Sequence, residues 1–165
     1  MVEIKAIGEE HFKTILALRD KAICEVGELF FCRLPEDKVF DFVQQGRSVG
    51  CFDRDIMVGM RLSYTSFVSP DFLEKLPVEN DASILGAILY GVYVEPIYRN
   101  RGLAKTMTSM VLNMLEEAGI QHIYSTVHPQ NTPNLRALQA NGFKIVYEGI
   151  FYRDKPRCLL YKYLV

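Results

Sequence analysis

"ILGAILYGVYVEPIYRNRGLAKTMTSMVLNMLEEAG", residues 84–119, passes from a continuous apolar run to a helical repeat across one short basic turn. The run 84–94 is apolar throughout, which suits a central strand buried on both faces better than a half-exposed one. Gly86 and Gly91 inside it predict a bulge or the close approach of a neighbouring backbone. Pro96 ends the strand, because it donates no ladder hydrogen bond and steers Glu95 away from the helical region. Beyond it, Leu103, Met107, Met110, Val111, Met114 and Ala118 share one face of a helix over 102–118, and Gly119 closes that helix.

The turn itself, "YRNRGLAK" (98–105), sets Arg99, Arg101 and Lys105 around Gly102. A strand that enters a helix through a glycine turn leaves several backbone N–H groups unpaired and pointing the same way, and the helix dipole adds to their pull on an anion. Basic side chains at a helix start are unfavourable by roughly 0.3–1 kcal/mol each. Three of them beside the small residues Gly102 and Ala104 therefore predict a diphosphate cradle rather than a chance helix start. The Gly-x-Gly-x-x-Gly and Gly-x-x-x-x-Gly-Lys-Ser/Thr spacings are absent, which removes the Rossmann and P-loop readings.

Working outward, "VEIKAI" (2–7) alternates like a strand, and two helical patterns follow, one from Phe12 to Val26 and one over 35–46. Residues 48–66 form two β-rich runs around Asp53-Arg54-Asp55, a hairpin signal, and 67–82 is a proline- and acid-containing irregular connection. After the central strand and helix come a strand (120–127), a short helix (131–141) and a terminal hairpin turning near 154–156. The order is βααβββαβαββ. No repeat or linker divides the 165 residues, so a single domain over 1–165 is expected.

Composition narrows the function classes. A formal charge of -1 and a pI near 6.3 leave no basic footprint for nucleic acid, and no stretch approaches the roughly 20 apolar residues of a membrane span. The N-terminus lacks the order of a signal peptide, which makes a cytoplasmic location the expectation. Cysteines 24, 32, 51 and 158 and histidines 11, 122 and 128 show no metal-ligand spacing, so no metal is expected and the cysteines read as reduced small hydrophobes.

With these elements in place, "VYVEPIYRNRGLAKTMTSMVLNMLEEAG" resembles the central motif of the GNAT superfamily, the acetyl-CoA-dependent N-acyltransferases. That motif is Arg or Gln, two residues, Gly, one residue, Gly or Ala, and Arg99, Gly102 and Ala104 fill it. The stretch "HPQNTPNLRALQANGF" resembles the second motif, with Asn131 at the helix start and Gly142-Phe143 before the next strand, and the element order agrees along nearly the whole chain. The resemblance implies an α/β (α+β) fold with a mixed, mostly antiparallel central sheet flanked by helices. It implies an N-acetyltransferase that uses acetyl-CoA as cosubstrate without a metal.

Carried over by residue, the resemblance has the backbone of Val92, Tyr93 and Val94 bond the pantetheine arm like an added strand. Arg99, Asn100, Arg101, Gly102, Leu103, Ala104 and Lys105 cradle the coenzyme A diphosphate. Asn131 bonds the arm near the thiol, a role compatible with a helix cap. One departure stands out: many relatives carry a tyrosine acid where this chain has Leu138, leaving Tyr93, Tyr147 and Tyr152 as substitutes on neighbouring strands.

The implied reaction, direct attack of an amine on the thioester, ranks the catalytic needs. Deprotonating an alkylamine of pKa about 10.4 costs roughly 4.6 kcal/mol at pH 7, whereas a thiolate of pKa near 8.5 lies only about 2 kcal/mol from its protonated form. A base matters more than an acid. Glu95, acting through water, is the first candidate base and His128 the alternative, while Val94 N–H is the candidate oxyanion donor and Tyr147 a candidate acid. For Glu95 a solvated loop charge and for His128 a turn cap are the competing readings.

Acids at 25, 28, 71, 74, 79 and 81 lie in connections that, by the resemblance, border the acceptor cleft; they favour a cationic amine or are ordinary surface charge. Phe30 and Phe31 line that cleft or serve the core. The terminal strand "CLLYKYLV" has two outcomes, pairing across a homodimer or closing its own sheet. A catalytically silent acyl-CoA-binding sensor or scaffold is the rival to the enzyme.

Overall fold

The structure, a computed structural model, describes all residues 1–165. Its strands are β1 Val2–Ile7, β2 Ser48–Asp53, β3 Ile56–Phe67, β4 Leu85–Val94, β5 His122–Val127, β6 Lys144–Phe151 and β7 Lys155–Tyr163. Its helices are α1 Phe12–Phe30, α2 Glu36–Gln44, α3 Pro70–Leu73, α4 Leu103–Glu117 and α5 Thr132–Ala140. The element order matches the sequence reading, apart from the one-turn helix α3 inside the connection expected to be irregular.

All seven strands join one sheet in the order β1-β2-β3-β4-β5-β7-β6. Every neighbouring pair is antiparallel except β4–β5. The terminal strand β7 inserts between β5 and β6, so "CLLYKYLV" closes its own sheet. No helix is long and apolar enough to cross a membrane.

The two faces of the sheet carry separate cores. On one, α1 and α2 bury Ile15, Leu18, Val39 and Phe42 against Met60, Leu62 and Tyr93. On the other, Met107, Val111 and Leu115 of α4 and Leu138 of α5 pack on Val49, Val58, Leu89 and Ile123. The buried stripe of α4 is Met107, Thr108, Val111, Leu112 and Leu115, rotated from the expected one: Met110 and Met114 are half-buried and Ala118 is exposed. Thr108 belongs to the stripe because its hydroxyl receives a buried arginine, Arg61. At the far end Gly119 (φ +76) closes α4 in a Schellman motif, with Ile120 N–H donating to Leu115 O and Gly119 N–H to Glu116 O.

Both glycine expectations in β4 are met, by different glycines. Gly91 (φ +52) is the extra residue of a bulge, since Arg61 pairs with Val92 and Leu62 with Tyr90. Without the bulge Val92 would share the face of Tyr90; with it, Val92 and Val94 turn toward the α4 side. Gly86 allows close approach, because a Cβ there would lie 3.0 Å from His122 O of β5. The last hairpin turns at 152–154 rather than near 154–156. Tyr152 (φ 51) and Arg153 (φ 77) make the bend, and Pro156 already sits in β7 opposite Ile150.

Candidate functional site

The parallel pair β4–β5 is joined only over Gly86↔His122, Ala87↔Ile123 and Ile88↔Tyr124. Beyond these residues the strands part. At the fork Ser125 Oγ donates to Leu89 O at 2.8 Å, so a side chain replaces the first missing ladder bond. The parting leaves an open strand edge on β4. Glu95 N–H is turned to β3, where it bonds Val58 O, so by alternation Val94 and Val92 direct their N–H and C=O to the open side. Arg99 Nε confirms this, reaching Val94 O at 2.8 Å from outside the sheet.

From β4 the chain makes a single tight turn over Pro96–Tyr98 and enters α4. Asn100 (φ 62) and Gly102 (φ 73) are both left-handed, which bends the backbone around a concave surface. The first bond of α4 is Thr106 N–H to Gly102 O, and the N–H groups of residues 100–105 have no acceptor in the protein. A row of free donors at the start of a long helix is suited to a diphosphate. The left-handed backbone at Gly102 favours glycine, and nothing lies within 4 Å of where its Cβ would be.

The basic side chains of this turn do not all face the cradle. Arg99 folds back, pairing its guanidinium with Glu25 of α1 (Nη2 to Oε2 2.8 Å) and lying 5.5 Å from the centroid of the Tyr93 ring. The hydrogen bond from Arg99 holds the Glu25 carboxyl below its ordinary pKa. Arg101 lies over Tyr98, whose hydroxyl bonds Asp53. Arg99 thus ties β4 to α1 and contributes to the cradle through its place in the turn.

A cavity of about 40 Å³ occupies the fork between β4 and β5. Asn131 and Asn134 line it from the α5 side, Phe30, Phe31 and Cys32 from the end of α1, and Tyr90, Gly91, Thr126, Tyr152 and Arg157 from the sheet. The fork is therefore lined from both faces of the sheet, by the α5 side on one and the end of α1 on the other, and forms a narrow passage between the parted strands. Gly27 (φ 79, ψ 165) kinks α1 ahead of Phe30 and Phe31, which delivers both to this passage. A larger cavity, about 370 Å³, lies between the outer flank of α4 and the C-terminus and contains none of the cradle residues.

Asn131 precedes α5 but makes no side-chain cap bond, so its amide is free to bond a ligand in the passage. Leu138 is fully buried in the core beneath α5. Two arginines that no local sequence pattern marks stand beside the passage. Arg61 of β3 is fully buried and bonds Thr108 Oγ1 at 3.0 Å and Asn134 Oδ1 at 3.2 Å, linking α4 to α5. Burial pushes its pKa down to about 9. Arg157 of β7 is the second.

The candidate catalytic groups are scattered by comparison. Glu95 directly follows β4, is not among the residues that line the passage, and pairs with Lys21 of α1. His128 is 6% exposed, stacks on Phe30 at 4.1 Å between centroids, and its Nδ1 accepts the Gln130 backbone N–H at 3.1 Å. Burial, aided by the charge of Arg157, lowers its pKa. Tyr93 donates to Glu25 at 3.3 Å, and burial pushes its pKa up to about 12. Tyr147 stands on the outermost strand against Phe151 and Lys75, away from the passage. Tyr152 lines the passage with its hydroxyl on Thr126 Oγ1 at 2.8 Å. Of the candidate acids on β6 and the β6–β7 turn, Tyr152 is the one placed at the fork.

Comparison with known proteins agrees with this geometry. Residues 65–143, which hold β4, the cradle and α5, match the model of the acetyltransferase (GNAT) family. The aminoglycoside N(6')-acetyltransferase type 1 of Salmonella typhimurium is 34% identical over 67 residues, 41% of this chain and 46% of that enzyme. The match thus spans about half the length of the curated relatives. Among solved structures, the NatC complex bound to Gag peptide and CoA aligns at TM-score 0.78 with 16% identity over 99% of both chains. Arabidopsis thaliana NAA60 in complex with acetyl-CoA aligns at 0.76 with 15% identity, over 99% of this chain and 100% of that one. A GNAT-family acetyltransferase from Streptococcus pneumoniae aligns at 0.74 with 14% identity over 100% of both. At such identities these likenesses establish a shared fold.

Proposed function

We propose that this chain, a member of the acetyltransferase (GNAT) family, transfers an acetyl group from acetyl-CoA to a primary amine of a small molecule or peptide by direct attack in a ternary complex. The observation that carries the reading is the joining of two unfilled donor sets by one strand. These are the free N–H groups of residues 100–105 and the open edge at Val92 and Val94, only a few residues apart along the chain. A diphosphate on the first and an amide-bearing arm along the second describe coenzyme A, with the arm leading into the passage past Asn131. The 165 residues act as one N-acetyltransferase domain.

In this reading the thioester carbonyl lies beside Val94, whose N–H supports the developing oxyanion. Glu95 is the base, through water. The incoming ammonium competes with Lys21 for its carboxylate, so substrate arrival frees Glu95 from its present partner. His128 is the less suitable base, since its Nδ1 already accepts a hydrogen bond and protonation there would break it. For the departing thiolate Tyr152 is better placed than Tyr147, although solvent suffices for a group of this pKa. The acceptor includes the chemistry named for the relatives, aminoglycoside amines and peptide N-termini, as the classes to screen.

Titration calorimetry with coenzyme A tests the donor, and free-thiol release from acetyl-CoA across a panel of amines, polyamines, aminoglycosides, amino acids and peptides tests the transfer. Binding with turnover is the expected result. Binding without turnover on any amine identifies the silent sensor, and absence of binding ends both readings.

A further inference from the structure

Arg157 is 2% exposed, yet its guanidinium makes a single hydrogen bond, Nη1 to Pro156 O at 2.7 Å. Its Nη2 has no partner, and no carboxylate lies within 4.0 Å of it. A buried cation left without a counter-charge is among the costlier arrangements a fold can hold. Arg157 lines the passage, and beside it Tyr90 presents a second buried donor, a hydroxyl that also has no partner. Burial raises the pKa of Tyr90 and of Tyr152, so both stay phenols at neutral pH.

The lining contains no acid, and its only formal charge is that of Arg157. Two of the acceptors in the lining are already engaged, Thr126 Oγ1 with Tyr152 and Asn134 Oδ1 with Arg61, and the uncommitted amide of Asn131 is neutral and lies on the α5 side. Two unpaired donors, one of them cationic, thus belong to residues that line a space of about 40 Å³, room for about three water-sized groups. A neutral acceptor can take the hydrogen bonds but leaves the buried cation without a counter-charge, and a cationic group supplies neither acceptor nor counter-charge. A carboxylate has the charge, the two acceptor oxygens and the size.

We propose that Arg157 and Tyr90 bind a substrate carboxylate at the inner end of the passage, so that the protein selects an acyl-transfer substrate carrying a free carboxylate. The inference rests on the function proposed above. The carboxylate has two possible sources, the α-carboxylate of an amino-acid acceptor or the distal carboxylate of a dicarboxylic acyl-CoA. Tyr90 and Arg157 lie with Phe30, Phe31 and Cys32 on the α1 side of the fork, opposite the α5 side from which Asn131 and Asn134 line it.

The test compares matched pairs on the full chain loaded with coenzyme A. One arm sets free L-amino acids against their C-terminal amides, read by ligand-detected NMR and, with acetyl-CoA, by thiol release. The other sets succinyl-CoA against butyryl-CoA by titration calorimetry. The expected result is discrimination of about 10²-fold or more in one arm, which identifies the source, because a site built around a bonded polar group strongly rejects an analogue that lacks it. Arg157→Gln should bring the pair to within a few-fold of each other. Tyr90→Phe, which keeps the ring packed on Phe31 and Phe42, should narrow the gap and serves where the arginine variant does not fold. Equal treatment of acid and analogue in both arms, or discrimination unchanged in the variants, overturns the proposal. If coenzyme A and acetyl-CoA bind normally in that case, only the carboxylate site falls; if they do not bind, the underlying function falls with it.

Discussion

Replacing Gly102 with alanine separates ligand cradling from ordinary backbone strain, because α4 carries a matched control at its other end. Gly102 (φ +73) and Gly119 (φ +76) have nearly the same left-handed backbone, and neither has a heavy atom within 4 Å of a built Cβ. A left-handed alanine costs roughly 1–2 kcal/mol, offset in part by the roughly 0.4–1 kcal/mol that alanine removes from unfolded-chain freedom. At about 2–4 °C per kcal/mol for a chain of this size, each variant should melt a few degrees below the parent and within a degree or two of the other. Gly102 and Gly119 lie 17 positions apart, about 25 Å at 1.5 Å per residue, so only Gly102 lies among the free donors of residues 100–105. Gly102→Ala should weaken coenzyme A binding at least tenfold, about 1.4 kcal/mol, while Gly119→Ala stays within about twofold. Calorimetric titration beside thermal melts reads both quantities. Equal affinities in the two variants, or affinity losses that follow the melting temperatures alone, would refute the cradle.

Glu95→Gln should lower turnover most at low pH while leaving coenzyme A affinity unchanged; a parallel pH profile from 6 to 9 removes Glu95 as base. Leu138→Tyr should destabilise the fold by about 1–3 kcal/mol without raising turnover, because the position is fully buried, and a faster enzyme in a thiol-release assay would contradict that. For His128 the folded pKa lies below the unfolded value of about 6.5, so below that pH the unfolded chain binds the extra proton. Stability is therefore fully present above about 6.5 and lost as pH falls toward the folded pKa. Denaturant melts from pH 7.5 to 5 should show this loss, reduced in His128→Asn, with His122, lowered by burial, contributing the remainder.

What the sequence disclosed depended on the range of the interactions involved. The strand, turn and helix of 84–119 were legible because the apolar run, Pro96, Gly102 and Gly119 are each local causes of local structure. Even the bulge in β4 followed from a glycine within an apolar strand. The rotation of α4 did not, because Thr108 is buried by Arg61, a residue 47 positions away. Asn131 reads as a cap by propensity, but the structure leaves its side chain uncommitted. Arg99 fills its motif, yet Glu25 on a distant helix determines where its guanidinium goes. Arg157 and Tyr90 are ordinary strand residues in the sequence and become notable only when β4, β5 and β7 leave their polar ends without partners.

The narrow joint between β4 and β5 also divides the chain by order of synthesis. Everything on the β1–β4 side precedes residue 95, and everything on the β5–β7 side follows residue 121. The core beneath α1 and α2 draws its buried residues only from Ile7 to Tyr93, and the first four strands form an antiparallel meander. That layer can close while the remainder is still being translated, whereas the layer beneath α4 and α5 must wait for Leu160 and Leu164 near the end of the chain. The open edge of β4 is thus made before β5 reaches it, and Ser125, capping Leu89 O, marks how far the arriving strand is permitted to zip.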